Sequence, residues 1–526
     1  MVDINSAASS PLFTLSLCLF IPLFFVIFHF LSISRSPSKS TPCPQSYPII
    51  GNLIGTVRNR HRFHDWIADM LSQSPSSTIE FRNFLGLSHG IFTANPTNVD
   101  HLLHSSFPNY IKGSNFSYFL TELLGDGIFN VDGHLWTFQR KIASHEFKTK
   151  SLKHFISEAV SSEISDRLIP YISAACDEKR VIDLQDILQR FTFDSICHVA
   201  FGVNPACLTS DNIYQNLPSF NFVKAFDDAV DISASRFLSP FSSLWRLKRF
   251  FNIGSEKRYK EAIKVINHYA MEIIRSKEGD SEETRKDQDL LSRFMFSSLN
   301  VSFQDEEHKG KFLRDIVLSF ILAGRDTTST ALTWFFWLIS GHPRCARLIQ
   351  TELASVPEKE QGIFSYEELK KLHYLHAAIS ESLRLFPPVP FNSRTTVHDD
   401  VLPDGTHVRQ GWFADYSAYA MGRMDKIWGD NCREFIPERW LDDNGVFQPS
   451  DQFRFPVFHS GSRICLGKDM AYVQMKSIAA AVMYEFDILA VDGGASAEKM
   501  MNPPYRLSLV LKMRGGLPVR LRRRQP

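Results

Sequence analysis

Hydrophobic positions along this chain follow three patterns. The first is unbroken: Pro11 to Leu31 carries no formal charge and is rich in Leu, Phe and Ile. A run of about twenty such residues is long enough to cross a bilayer as a helix. The basic residues Arg35 and Lys39 follow it rather than precede it. That order favours an uncleaved anchor over a signal peptide and puts the bulk of the chain in the cytosol. The second pattern is helical. Apolar residues recur at helical spacing over 152–175, 184–201 and 257–274, and Ile316 to Ile339 is apolar nearly all round, as a buried helix would be. Ser365-Tyr-Glu-Glu368 is a capping box that opens a helix running to Phe386, where Pro387-Pro388 stops it. The third pattern, that of strands, is scarce. Thr78 to Thr93 reads as two short strands with a turn, Asn95-Pro96 then starts a helix, and weaker strand signals lie at 397–406 and 505–521. The expected fold class is mainly α (α+β), with small sheets at the edges.

Between the apolar run and this helical body stand Pro37, Pro42, Pro44 and Pro48, a composition that makes a stiff, extended spacer. The expected organisation is an anchor helix at 11–31, a proline-rich hinge at 32–50 and one large domain at 51–526. A net charge of +1 gives no reason to expect a nucleic-acid partner. The eight cysteines are scattered with no C-x-x-C pair, which excludes a disulfide framework or a zinc-site spacing and implies a reducing compartment.

Candidate chemistry centres on Phe458-His-Ser-Gly-Ser-Arg-Ile-Cys465-Leu-Gly467. Cys465 lies just before a helix that begins near Lys468, where free N–H groups and the helix dipole favour a thiolate. Gly461 and Gly467 let the backbone pass close to something flat and bulky. Arg463 offers a fork for a carboxylate. Thiolate, close backbone and arginine together suit haem, with sulfur on iron and guanidinium on a propionate. Within the apolar run at 316–339 sits Ala323-Gly-Arg-Asp326-Thr327-Thr328. A glycine and polar residues at the centre of a buried helix are costly unless a site uses them. The carbonyl of Ala323, four residues before Thr327, is placed to accept the threonine hydroxyl and open the helix. Trp136 and Arg140 share one helix face, as do Glu381 and Arg384. His373 and His376 have no third ligand nearby and read as a surface pair. Gly125-Asp-Gly127 does not continue into a dinucleotide fingerprint, so reducing electrons must come from a partner.

The cysteine run resembles the haem-binding signature of the cytochrome P-450 family, Phe-x-x-Gly-x-Arg-x-Cys-x-Gly, with every defining position present. Trp136/Arg140, 324–327, Glu381/Arg384 and Cys465 occur in the family's order. The resemblance implies a single triangular helical domain, haem b with Cys465 as iron ligand, and a haem-thiolate monooxygenase that uses O2 and electrons from an NADPH–cytochrome P-450 reductase. It implies that Arg463, Trp136, Arg140 and Arg394 hold the propionates and that Asp326 and Thr327 deliver protons. Glu381, Arg384 and the arginine of Pro437-Glu-Arg439 would form a structural triad. The location implied is the endoplasmic reticulum membrane, single-pass, with the catalytic domain cytosolic.

Asn109-Tyr-Ile-Lys-Gly113, Gly125–Asn130, Ala420–Met424 and Ile427-Trp-Gly429 are similar to a plant branch that hydroxylates the far end of long aliphatic chains. Fatty acids, jasmonoyl–amino acid conjugates and sterol side chains all offer such a terminus. Ser462, His459-Ser460 and Lys112 depart from that branch's usual residues. Pocket candidates are Phe116, Phe119, Leu322, Val389, Phe391 and Tyr505. Readings of another class are a haem-thiolate isomerase or dehydratase, whose relatives tend to lack the acid–threonine pair, and a non-catalytic lipid-binding membrane protein.

Overall fold

Strand-forming residues around Gly90 pair as their pattern predicts. β1 (Thr78–Arg82) and β2 (His89–Thr93) run antiparallel with Thr78 opposite Thr93. These elements come from a computed structural model that describes residues 44–47, 49–83, 88–147, 158–237, 244–278, 289–297, 306–356, 363–491 and 500–524. The anchor run at 11–31 and nearly all of the hinge lie outside them. No helix among the described residues is long and apolar enough to cross a membrane.

The strands β3 (Tyr110–Ile111), β4 (Ile182–Asp183), β5 (Thr395–Thr396), β6 (Asp400–Val401), β7 (His407–Val408), β8 (Phe413–Tyr416), β9 (Phe486–Ala490) and β10 (Pro518–Arg523) complete three sheets. Their orders are β1-β2-β8-β5-β3, β4-β10-β9 and the hairpin β6-β7, with β2 and β8 the parallel pair. The expected strand at 397–406 is therefore a hairpin whose second arm starts at His407. At the C-terminus the strand is confined to 518–523, and Tyr505 makes only an isolated bridge to Met513.

Helices form the bulk of the structure. Those that shape the site are α1 (Phe63–Gln73), α2 (Gly113–Leu124), α3 (Gly133–Glu146), α4 (Leu184–Phe201), α5 (Pro218–Phe237), α6 (Gly254–Glu278), α7 (Glu306–Ile321), α8 (Thr327–Gly341), α9 (His373–Leu385) and α10 (Lys468–Glu485). α8 is the hub: Ala331 to Ile339 are all buried, and α4, α9 and α10 pack against it. α4 spans the residues its periodicity predicts. Asp183 caps its start by accepting from the Gln185 N–H, and Gly202 ends it in a left-handed conformation.

Two local expectations change. The helix expected from Ser365 to Phe386 is broken at Leu372, with a short helix Tyr366–Lys371 before it and α9 after. The capping box forms as predicted, but α9 gets a cap of its own from a distant segment. The Glu352 carboxylate accepts from the N–H groups of Tyr374 and Leu375 at 2.7 and 2.9 Å. A carboxylate on those free donors stabilises a fresh helix start. Gly324 also has a packing role: a Cβ there would lie 2.5 Å from Ile196 of α4. The helix-propensity cost of about 1 kcal/mol is thus tied to the close approach of α4.

Candidate active site

A tight loop after the 3-10 turn Pro456–Phe458 places Cys465. Its N–H donates to the Phe458 carbonyl at 2.8 Å, and Gly467 caps α10 two residues later. Cys465 is exposed although burial dominates its electrostatic environment, as expected of a side chain that lines an internal space. Gly467 borders that space: a Cβ there would come no nearer than 3.9 Å to Cys465 Sγ and Phe147. Gly461 has a different task. It has φ +61°, and a Cβ would fall 2.1 Å from the Leu103 carbonyl oxygen. It therefore locks the loop onto the π turn His101–Ser105. Gly461→Ala is expected to push the loop off Leu103 and to lower the haem-to-protein ratio of purified material by several-fold, with left-handed strain alone costing about 1–2 kcal/mol.

Burial pushes the Cys465 thiol above its usual range, although the Gly467 N–H, Arg140 and Lys468 pull it down. The helix terminus expected to favour a thiolate therefore helps but does not win. A metal ion would complete the change, because a coordinating thiol is deprotonated outright.

Beside this loop the chain gathers cations. Arg394 is fully buried, Lys112 and Arg463 nearly so, and Arg140 is partly exposed. Asp132 organises them, accepting from the N–H groups of Lys112 and Gly113 at 2.9 Å each and from Arg463 Nη2 at 2.6 Å. Burial and then the Arg394 charge hold Arg463 down to about 10, and burial with Arg394 and Arg463 lowers Lys112. The second carboxylate nearby, Asp415, is pushed up to about 7 by burial, against a 2.6 Å hydrogen bond from Ser393. Arg394 Nε and Nη2 and Arg463 Nε are buried without any acceptor. Crowded cations with orphaned N–H groups call for added carboxylates. Two haem propionates have that chemistry, and Cys465 has the chemistry for the iron, so the residues fit the group.

The two other residues expected at the propionates, Trp136 and Arg140, stand beside this cluster on α3. The guanidinium over the Trp136 ring, at 4.5 Å, is that of Arg463. Arg140 Nη2 donates to the Ile464 carbonyl, next to Cys465. Lys112 was noted in the sequence only as a departure from a related branch. Nothing local signals its role, because Asp132, Arg394 and Arg463 come to it from separate segments. His459 joins the same cluster. It adopts φ +58°, and its Nδ1 lies 2.8 Å from the Tyr416 hydroxyl.

Between α7 and α8 the helix opens. Leu322–Asp326 forms a π turn, and Thr327 Oγ1 donates to the Ala323 carbonyl at 2.5 Å. Leu322, Ala323, Gly324 and Thr327 are partly exposed although Ile321, Arg325, Asp326 and Thr328 around them are buried. One face of this central rod therefore borders open space. Asp326 points the other way. It is 3.1 Å from Arg325 Nη1 and 3.6 Å from Lys512 Nζ, and both its oxygens lack hydrogen bonds. Arg325 and Lys512 are also paired with Asp227 of α5, at 2.8 and 3.0 Å.

Glu381, Arg384 and Arg439 come together. The fully buried Glu381 carboxylate accepts from Arg384 at 2.7 and 2.8 Å, Arg439 at 3.2 Å, the Ile436 N–H at 3.0 Å and Trp440 Nε1 at 2.9 Å. Arg384 also donates to the carbonyls of Gly422, Cys432 and Glu434. The ring of Trp440 meets Phe455 at 4.8 Å, which carries the brace to the start of the cysteine loop.

Of the pocket candidates, Phe116 and Phe119 of α2 and Phe391 all meet Phe237, at 5.9, 5.8 and 6.1 Å between ring centres. Phe237, at the end of α5, was not singled out in the sequence. Tyr505 is set apart, bonded to the His64 N–H and to Asp65. Leu322 lies in the π turn, and Val389 is half-buried. His376 stacks on Phe447 at 3.8 Å and is held down to about 3 by burial. Among the described residues no group of His, Cys, Asp and Glu could hold a metal ion.

The family model described as Cytochrome P450 matches residues 41–516. The chain belongs to the cytochrome P450 family. Cytochrome P450 94A1 of Vicia sativa is 44% identical over 491 residues, covering 91% of this chain and 90% of that protein. Cytochrome P450 CYP94D108 of Paris polyphylla is 43% identical over 495 residues, covering 93% of each. Cytochrome P450 94C1 of Arabidopsis thaliana is 44% identical over 463 residues, 88% of this chain and 89% of that protein. As a cytochrome P450 the protein is a haem-dependent monooxygenase that draws its electrons from a reductase. Bound haem supplies oxygen activation, and its thiolate ligand favours O–O cleavage. Among this chain's own residues, Cys465 would hold the iron, the cluster of Arg394, Arg463 and Lys112 would face the propionates, and the π turn would border the space in front of them.

Proposed function

We propose that this cytochrome P450 hydroxylates the terminal or near-terminal carbon of a long aliphatic substrate such as a fatty acid. The observation that carries the reading is the wall of Phe116, Phe119, Phe237 and Phe391. It gives a long alkyl chain continuous apolar contact with little polar interruption. A jasmonoyl–amino acid or a sterol side chain offers a similar terminus. Turnover assays in microsomes with an NADPH reductase would compare a long-chain fatty acid, jasmonoyl-isoleucine and a hydroxylated cholesterol. The expected result is a fatty-acid product hydroxylated at or next to the chain end, carrying label from labelled O2. Unlabelled product would instead support isomerase or dehydratase chemistry, and binding without turnover a lipid-binding role.

In this reading Thr327 and Asp326 manage protons. The Thr327 hydroxyl, committed as donor to Ala323, keeps its oxygen as an acceptor for a water donor. Asp326, turned the other way toward Arg325 and Lys512, would have to leave that pairing to pass a proton to it. Thr327→Ala is expected to cut product per NADPH about tenfold or more, within the usual range for general acid–base catalysis, with the reductant diverted to hydrogen peroxide. Unchanged coupling would remove Thr327 from the relay.

The reading also includes a membrane anchor at 11–31, a hinge at 32–50 and a catalytic domain at 51–526 on the cytosolic face of the endoplasmic reticulum. The apolar, uncharged composition of 11–31 supports it. So does a second surface: Leu247, Phe250, Phe251 and Ile253 are each more than half exposed, and Phe250 is 82% exposed. Such a cluster suits contact with lipid.

A further inference from the structure

The aromatic wall continues beyond the four phenylalanines. From Phe391 the rings run to Phe237, then to Phe119, and from Phe119 to Trp245 at 6.4 Å and from Trp245 to Tyr118 at 5.4 Å. The guanidinium of Arg246 lies 5.3 Å from the Tyr118 ring. The track thus leads from a buried segment two residues beyond Val389 to the exposed helix Leu244–Phe250.

Two features of its outer end are unsatisfied. Trp245 Nε1 is buried and has no hydrogen-bond partner. An indole N–H can only donate, and a buried donor without an acceptor is costly. Arg246 is exposed and makes no ion pair with any carboxylate among the described residues. Its neighbours are spoken for. Arg249 is held by both oxygens of Glu122 at 2.6 and 2.8 Å, and buried Arg236 is held by Glu256. A donor-only group and a free guanidinium, side by side in sequence at the end of an apolar track, fit an anionic acceptor on an apolar body.

We infer that Trp245 Nε1 and Arg246 bind the carboxylate of an acyl substrate whose hydrocarbon chain lies along the Tyr118–Trp245–Phe119–Phe237–Phe391 track. This rests on the acyl-hydroxylase reading above and adds the substrate's head group to it. The two ends of the substrate have separate partners. The carboxylate is fixed at the surface and the chain reaches inward, so chain length decides which carbon stands before the π turn. A fatty acid and a jasmonoyl–amino acid share the carboxylate, whereas a sterol lacks it.

The test is spectral titration of the full-length ferric haem protein in lipid vesicles, following the low- to high-spin shift. The ligands are a long-chain fatty acid, its methyl ester, its primary alcohol, and jasmonoyl-isoleucine with its methyl ester. The wild type is expected to bind a free acid about tenfold tighter than its ester. Arg246→Gln should erase that preference while leaving ester affinity unchanged. Arg246→Lys should restore part of it, and Trp245→Phe should lose several-fold in acid affinity. Whichever acid shows the preference names the source of the carboxylate. Equal binding of acid and ester by the wild type overturns the head-group site alone, as does an acid-to-ester ratio unmoved by Arg246→Gln. Absence of a shift with every acyl ligand, in protein that gives a normal carbon monoxide spectrum, overturns the acyl reading together with this site.

Discussion

Serine at position 465 is expected to abolish both turnover and the red-displaced absorption of the reduced carbon monoxide complex. The change swaps one atom. The Cys465 N–H would still donate to the Phe458 carbonyl, and Gly467 would still cap α10, so the loop has no reason to refold. What is lost is a group that a metal can deprotonate at this depth. Burial already raises the thiol, with only the Gly467 N–H, Arg140 and Lys468 opposing it. A serine hydroxyl starts far higher and cannot supply the thiolate electron density that favours O–O cleavage. The cation cluster of Lys112, Arg394 and Arg463 is untouched, so haem is still expected to be retained in part. Its spectrum, measured in purified reduced protein under carbon monoxide, is the decisive readout. A surviving thiolate-type spectrum would remove Cys465 as the iron ligand.

Arg384→Ala is the second large effect, and it acts on stability. Glu381 and Arg384 are both fully buried. Removing the guanidinium takes from Glu381 its two-pronged ion-pair partner, leaving Arg439, the Ile436 N–H and Trp440 Nε1, and takes a donor from the Gly422, Cys432 and Glu434 carbonyls. Breaking a buried pair on one side typically costs about 3–5 kcal/mol, a large part of a typical stability of about 5–15 kcal/mol. The expected outcome is little soluble haem-loaded protein, or a strongly lowered midpoint of thermal unfolding. Arg384→Lys is expected to fare little better, because one ammonium cannot reach the same spread of acceptors as a planar fork. Wild-type stability in either variant would mean that the brace is dispensable. The pair touches neither the space beside Cys465 nor the π turn, so it belongs to folding rather than to the reaction.

Much of the architecture was legible because it is local. The capping box at Ser365, the Asn95 cap on the helix that starts at Pro96, and the full length of α4 follow from side chains within a few residues of the backbone groups they satisfy. The Thr327–Ala323 hydrogen bond is equally local, being one turn of helix. The shared helix face of Trp136 and Arg140 was legible, but it could not show that Arg463 would come to lie over the Trp136 ring.

Periodicity and short motifs, acting on their own, determined that this chain is mainly helical, that a cysteine stands before α10, and that a central helix is interrupted at Gly324–Thr327. Hydrogen bonding along a helix and the conformational limits of each residue operate over a few positions, so their traces survive in the linear order. Assembly in three dimensions decided the rest. It set Lys112 with Arg394, Arg463 and Asp132, gave α9 its cap from Glu352, fitted Gly461 against Leu103 and turned Asp326 toward Lys512. Charge compensation and close packing depend on which distant segments meet, and that is settled only when the whole chain buries its apolar faces together.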